Sequence, residues 1–105
     1  MRLDALQTML EREPTDAFLL FAIAKEYEKK YDDATAQTYY ERCHTYNPTY
    51  VGLYYHLGKL HERAQNLDAA IHIYKEGMQV AQAAGDRHAL SELAMAKLEL
   101  VDEED

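Results

Sequence analysis

The chain has 105 residues, of which 48% are hydrophobic and 29% charged, and its net charge is −8 at pH 7. This length fits one small domain with a modest core, and the acidic balance argues against nucleic-acid binding, which relies on cations that contact phosphates. The single cysteine, Cys43, cannot form an internal disulfide, which is typical of a reducing compartment such as the cytoplasm. We expect neither a signal peptide nor a membrane span, since no apolar run approaches the ~18 residues that cross a bilayer.

The spacing of apolar residues predicts six amphipathic helices joined by short turns. These helices cover residues 2–12, 16–30, 33–46, 50–63, 67–83 and 87–101. Asp32 and Asn66 are expected to cap the third and fifth helices, and Asp86 the sixth, because their side chains can accept from backbone N–H groups. Gly85 predicts a left-handed end to the fifth helix. Residues 102–105 form an acidic tail that we expect to be solvated.

Two stretches of the sequence follow one plan at a separation of 34 residues. The matched pairs are Pro14 and Pro48, Thr15 and Thr49, Leu19 and Leu53, Lys25 and Lys59, Glu28 and Glu62, Ala36 and Ala70, and Tyr40 and Tyr74. A fixed period of this length indicates a repeat architecture in which each unit is a helix–turn–helix hairpin. The short loops predict that consecutive helices pack antiparallel.

In these repeats the chain resembles the tetratricopeptide repeat family, whose pattern is W-x2-L-G-x2-Y, then A-x3-F, then P. The matching residues are Leu20, Ile23, Ala24, Tyr27, Ala36, Tyr40 and Pro48 in the first repeat, and Tyr54, Leu57, Gly58, His61, Ala70 and Tyr74 in the second. The chain departs from the pattern in having no tryptophan, in His61 where tyrosine is usual, and in Gly85 in place of a second proline. The resemblance implies an all-α superhelix with repeats at residues 14–47 and 48–85 and a half repeat at each end, within one domain over residues 1–101.

The repeat-packing positions have a physical interpretation. We expect small residues where the two helices of a hairpin touch, and we expect Tyr40 and Tyr74 to wedge between one hairpin and the next. The small residues are Ala24, Ala36, Gly58 and Ala70. On the sixth helix the predicted inner stripe is Leu90, Leu93, Ala94, Lys97, Leu98 and Val101.

The resemblance further implies that the first helix of each hairpin lines a concave groove. The residues placed there are Phe18, Phe21, Lys25 and Lys29 from the second helix, and Tyr55, His56, Lys59 and Arg63 from the fourth. Aromatic and cationic residues on an acidic protein favour a groove for a peptide segment of acidic or aromatic-rich character. The alternative is that Lys25 and Lys59 are ordinary surface residues that pair with Glu28 and Glu62.

The sequence therefore predicts a protein-interaction scaffold that is not an enzyme and has no cofactor or metal. It contains no nucleophile–base arrangement or glycine-rich phosphate loop, and its five histidines lack ligand spacing. Cys43 is expected to fill the core. The alternative function is a self-assembling, homodimeric repeat protein. Met95 and Leu100 make the apolar face of helix 87–101 wider than a helix that only covers the end of a repeat array requires.

Overall fold

The computed structural model describes residues 2–101, which form six helices and contain no strand. The helices are α1 (Arg2–Arg12), α2 (Ala17–Lys29), α3 (Asp33–Tyr46), α4 (Gly52–Arg63), α5 (Leu67–Ala84) and α6 (Arg87–Val101). The prediction of an all-α fold with six helices is confirmed, and the largest error is at the start of α4, which begins at Gly52 rather than residue 50. The predicted acidic tail, residues 102–105, lies outside the described residues.

The helices are distributed over two compact units that divide between Tyr50 and Val51. In the first unit α2 packs against both α1 and α3. In the second unit α5 packs against both α4 and α6, and α4 also contacts α6. The organisation of residues 1–101 as a single domain stays a prediction.

Three turns inside these units, after α2, α4 and α5, have the same left-handed geometry. Tyr31, Gln65 and Gly85 occupy the left-handed position, with φ angles of 61°, 64° and 72°. In each turn the backbone N–H of the following residue donates to a carbonyl in the last turn of the preceding helix, at 2.9–3.0 Å. This hydrogen bond satisfies a carbonyl that the helix end would leave without a partner.

The residue after each left-handed position also starts the next helix. Asp32, Asn66 and Asp86 accept hydrogen bonds through their side chains from the backbone N–H three residues further on, at 3.1, 3.3 and 3.0 Å. All three predicted helix caps are therefore confirmed. Because the backbone N–H of this residue bonds to the preceding helix and its side chain caps the next helix, the turns are short and the paired helices are held close together.

The three largest fully buried side chains are tyrosines, and each is hydrogen-bonded to a glutamate. Tyr40, Tyr54 and Tyr74 are fully buried. The Tyr40 hydroxyl donates to Glu28 at 2.6 Å, and the Tyr74 hydroxyl donates to Glu62. Tyr54 donates to a glutamate of α5 in the same way. A buried hydroxyl without a partner would be costly, so these glutamates allow tyrosine rather than phenylalanine to fill the core.

The predicted inner stripe of α6 is wrong in part. Leu93 and Ala96 are the buried residues of this helix, whereas Leu98 is 55% exposed. The reason is that α6 contacts α4 as well as α5, so its buried face turns toward Ala96 and away from Leu98.

Candidate partner-binding surfaces

In the first unit, two phenylalanines of α2 differ in how much of each ring is available to a partner. Phe18 is 57% exposed. Phe21 is half-buried, and its ring centroid lies 5.9 Å from that of Tyr40 and 5.5 Å from that of Tyr50. Two tyrosines, the buried Tyr40 and the half-buried Tyr50, therefore hold Phe21 in place, and Phe18 offers the larger free apolar surface.

The lysines of α2 lie close to carboxylates on their own helix. Lys25 Nζ is 3.8 Å from Glu28 Oε1. Lys29 Nζ is 3.3 Å from Glu26 Oε2, an oxygen that also accepts from Arg2 Nε at 2.9 Å. The positive charges predicted to attract an acidic segment are thus partly balanced on the same helix.

In the second unit, three of the predicted residues, Tyr55, His56 and Lys59, form a patch on α4. The rings of Tyr55 and His56 meet edge to face with centroids 5.7 Å apart. Lys59 Nζ lies 5.5 Å from the Tyr55 ring centroid and 3.6 Å from Glu62 Oε2. Arg63 is exposed at the end of the helix. The sequence analysis gave this pairing of Lys59 with Glu62 as the alternative to a lysine that binds a partner.

A cleft of about 360 Å³ separates this α4 patch from α6 in the same unit. Tyr55 and Lys59 line it from α4, and Glu92, Met95 and Glu99 line it from α6. The sequence analysis named Met95 only for a dimer surface, and it missed Glu92 and Glu99. Their signal was present as helical spacing, since positions separated by three, four and seven residues lie on one helix face.

The predicted repeat-packing residues are placed in the two cores. Those that are buried are Leu20, Ala24, Ala36, Tyr40, Tyr54, Leu57, Gly58, Ala70 and Tyr74. Tyr27 is half-buried instead; its hydroxyl accepts from Gln7 Nε2 at 3.3 Å, and its ring stacks on that of Tyr39 at 5.8 Å.

Solved structures of known proteins share this arrangement. The crystal structure of a tetratricopeptide repeat domain protein from Salinibacter ruber is 42% identical in sequence, over 81% of this chain and 94% of that chain, with a TM-score of 0.78. The chain belongs to the tetratricopeptide repeat family. A solution structure of such a domain from the same organism is also 42% identical, over 83% of this chain and 88% of that chain, with a TM-score of 0.79.

A protein from Bordetella parapertussis has a similar fold at lower sequence identity. The solution structure of that protein is 24% identical, covers 96% of this chain and 88% of that chain, and has a TM-score of 0.80. At this identity the likeness shows the fold alone. No protein-family model and no curated protein matches the chain. Family membership places the chain among repeat modules that act in protein–protein interaction.

The His, Cys, Asp and Glu side chains of the described residues show no metal-binding arrangement. Within residues 2–101 no group of three or more His, Cys, Asp or Glu side chains is placed to hold a metal ion. His61 and Cys43 are both buried. Burial, together with the charge of Asp16, raises the pKa of the Cys43 thiol to about 11, so the thiol remains protonated at neutral pH.

None of the six helices within residues 2–101 combines the length and the apolarity that crossing a bilayer requires.

Proposed function

We propose that this tetratricopeptide chain is a non-catalytic scaffold that binds a segment of a partner protein on the exposed faces of α2 and α4. The faces are the residues predicted for the concave groove: Phe18, Phe21, Lys25 and Lys29 on α2, and Tyr55, His56, Lys59 and Arg63 on α4. Family membership supports the general role, and cytoplasmic location, suggested by the single cysteine, is part of the proposal.

The observation that carries the proposal is the exposure of Phe18. The neighbouring apolar residues Leu19 and Leu20 are buried, so the packing of α2 does not require a phenylalanine at position 18. Aromatic residues are enriched among those that carry binding energy at protein interfaces, so an exposed phenylalanine is a candidate contact for a partner.

The acidic character expected of the bound segment has less support than its aromatic or apolar character. That expectation depended on Lys25 and Lys59, which lie 3.8 and 3.6 Å from glutamates of their own helices. Exposed pairs of this kind contribute about 0–1 kcal/mol, and they reduce the net positive potential that an acidic segment would meet.

A capture experiment with matched variants tests the proposal. Immobilised wild-type protein and the variants Phe18→Ser and Tyr46→Ser are incubated with native cell extract, and the retained proteins are quantified by mass spectrometry. Tyr46 is the control because its exposure, 58%, matches the 57% of Phe18 and it lies on α3. We expect Phe18→Ser to lose the partner and Tyr46→Ser to retain it. Equal retention by both variants would contradict the proposed surface.

A second candidate function, homodimerisation through helix 87–101, is favoured by the exposed apolar residues of α6. Met95 is 61% exposed and Leu98 is 55% exposed. Leu98 lies as far along the chain from its helix cap, Asp86, as Glu28 lies from Asp16. Glu28 of α2 accepts a hydrogen bond from a tyrosine of the next helix. Leu98 therefore lies on the corresponding side of α6. A helix of a second copy could cover this apolar face of α6.

Light scattering at low micromolar concentration tests the dimer. A species of about twice the 12.1 kDa chain mass, reduced to the chain mass by Leu98→Glu, would support it. A wild-type monomer would exclude it at that concentration. The two candidates use different helices, α2 and α6, and each has its own test.

A further inference from the structure

The α4–α6 cleft has an apolar centre that the core of the second unit does not use. Met95, 61% exposed, projects from α6, and the half-buried Tyr55 lies on the α4 side. Ala96 is buried and also lines the cleft. At about 360 Å³ the cleft lies near the lower end of the range for ligand pockets, roughly 300–1,000 Å³. It is large enough for one bulky side chain and its neighbouring backbone.

The rim of the cleft carries more negative than positive charge. Glu92 and Glu99 lie seven residues apart, two helical turns or about 10 Å along α6, on the face that includes Met95. The ammonium group of Lys59 faces them from α4 but is 3.6 Å from Glu62. A bound segment therefore meets two carboxylates on the α6 wall and a cation that already has a carboxylate neighbour.

We propose that the α4–α6 cleft binds an apolar side chain of the partner segment that is flanked by an arginine or lysine. The apolar side chain packs between Met95 and Tyr55, and the cationic group lies against Glu92 or Glu99. This inference rests on the proposed function and names the ligand chemistry for the second unit, where the sequence had suggested an acidic segment.

Charge complementarity gives the selectivity in this arrangement, and apolar contact gives most of the affinity. A glutamate at the flanking position would face two like charges, which disfavours it. Exposed ion pairs contribute about 0.2–1 kcal/mol each. We therefore expect an arginine-containing segment to bind about three- to tenfold more tightly than its glutamate counterpart at low salt.

Methionine-methyl NMR with two synthetic peptides tests the inference directly. The probes are acetyl-Ser-Leu-Arg-Leu-Ser-amide and acetyl-Ser-Leu-Glu-Leu-Ser-amide, titrated into the full chain. We expect the arginine peptide to shift the Met95 methyl signal, with an affinity at least about threefold above that of the glutamate peptide. Met9, which is exposed on α1 in the other unit, is the internal control and should not shift.

Two double variants separate local from general charge effects. Glu92→Gln with Glu99→Gln should remove the preference for the arginine peptide. Glu13→Gln with Glu41→Gln, which removes the same charge from exposed positions in the first unit, should leave it unchanged. If both double variants lose the preference equally, it comes from net charge and the inference fails.

Failure of the inference is distinguishable from failure of the proposed function. A Met95 methyl that does not respond to the arginine peptide, or that responds equally to the glutamate peptide, overturns the cleft's proposed ligand. Partner capture that depends on Phe18 would still stand in that event. Capture that is insensitive to Phe18→Ser overturns the proposed surface on α2, whatever the peptides show.

Discussion

The ring of Tyr74 on α5 fills the space beside Gly58 on α4. A Cβ atom added at Gly58 would lie 2.7 Å from both Cδ1 and Cζ of Tyr74 and closer still to Cε1. Tyr74 is fully buried, and its hydroxyl donates to Glu62 one helical turn beyond Gly58. Glycine at position 58 thus lets the two helices of the second repeat approach with an aromatic ring between them.

Replacing Gly58 by alanine should destabilise the protein, although alanine favours helix over glycine by about 1 kcal/mol. The added methyl group would overlap a buried ring held at its hydroxyl end, and overpacking of this kind costs about 1–3 kcal/mol. Urea unfolding monitored by circular dichroism gives the free energy of unfolding. Gly52→Ala, at the exposed first position of α4, is the control and should change stability little. A Gly58→Ala variant as stable as wild type would contradict the packing described.

Truncation of Tyr74 to alanine should be much more severe. The loss of a fully buried aromatic ring leaves a cavity and costs about 3–5 kcal/mol. Tyr46→Ala, at a 58% exposed site, is the control and should remain within about 0.5 kcal/mol of wild type. The same unfolding measurement checks both variants, and a loss below about 1 kcal/mol at Tyr74 would show that its ring is not a core element.

Stability should fall at alkaline pH because two tyrosines resist ionisation in the folded state. Burial, and then the hydrogen bond to Glu62, raises the pKa of Tyr74 above the ordinary tyrosine value. Burial also raises the pKa of Tyr50. Above pH about 10 tyrosines in the unfolded chain lose their protons and these two keep theirs, so rising pH favours unfolding. Below that pH the contribution is fully present.

Urea unfolding at pH 8, 10 and 11 measures this dependence, and Tyr74→Phe is its control. The phenylalanine variant has no hydroxyl proton to retain, so its stability should fall less between pH 10 and 11 than that of wild type. An equal fall in both proteins would assign the alkaline destabilisation to other groups.

The left-handed turns offer a route to greater stability. Tyr31 and Gln65 adopt positive φ without being glycine, which costs roughly 1–2 kcal/mol for an ordinary residue. Both side chains are exposed, so Tyr31→Gly and Gln65→Gly lose little packing. After the greater backbone entropy of glycine is subtracted, each should raise the free energy of unfolding by about 0.5–1 kcal/mol. The reverse change, Gly85→Ala, should lower it; three unchanged values would contradict the role of the φ angles.

Local patterns in the sequence were sufficient to predict the helices and turns. Asp32 and Asn66 have the residue type and position of helix caps, and both act as such. The 34-residue period identified Gly58 and Tyr74 as packing residues without showing that they touch. Helix caps and turns depend on interactions between residues that are close in sequence, so local patterns are enough to predict them.

Features that depend on a second helix were not predictable in the same way. Glu28 and Glu62 read as partners of nearby lysines, and their role in accepting tyrosine hydroxyls becomes visible only when the hairpin closes. The exposure of Leu98 likewise depends on which neighbours α6 finds. The α4–α6 cleft joins two helices that are far apart in sequence. Helical spacing places Glu92, Met95 and Glu99 on one face of α6, but no local pattern shows that this face lies beside α4.

The affinity of the purified partner for wild-type protein and for Phe18→Ser tests the central claim most directly. Isothermal titration calorimetry should show at least about a tenfold loss of affinity for Phe18→Ser, the effect of removing an aromatic residue that contributes about 1.4 kcal/mol or more. Tyr46→Ser should bind as wild type does. Equal affinities for wild type and Phe18→Ser would contradict the claim that the exposed face of α2 binds the partner.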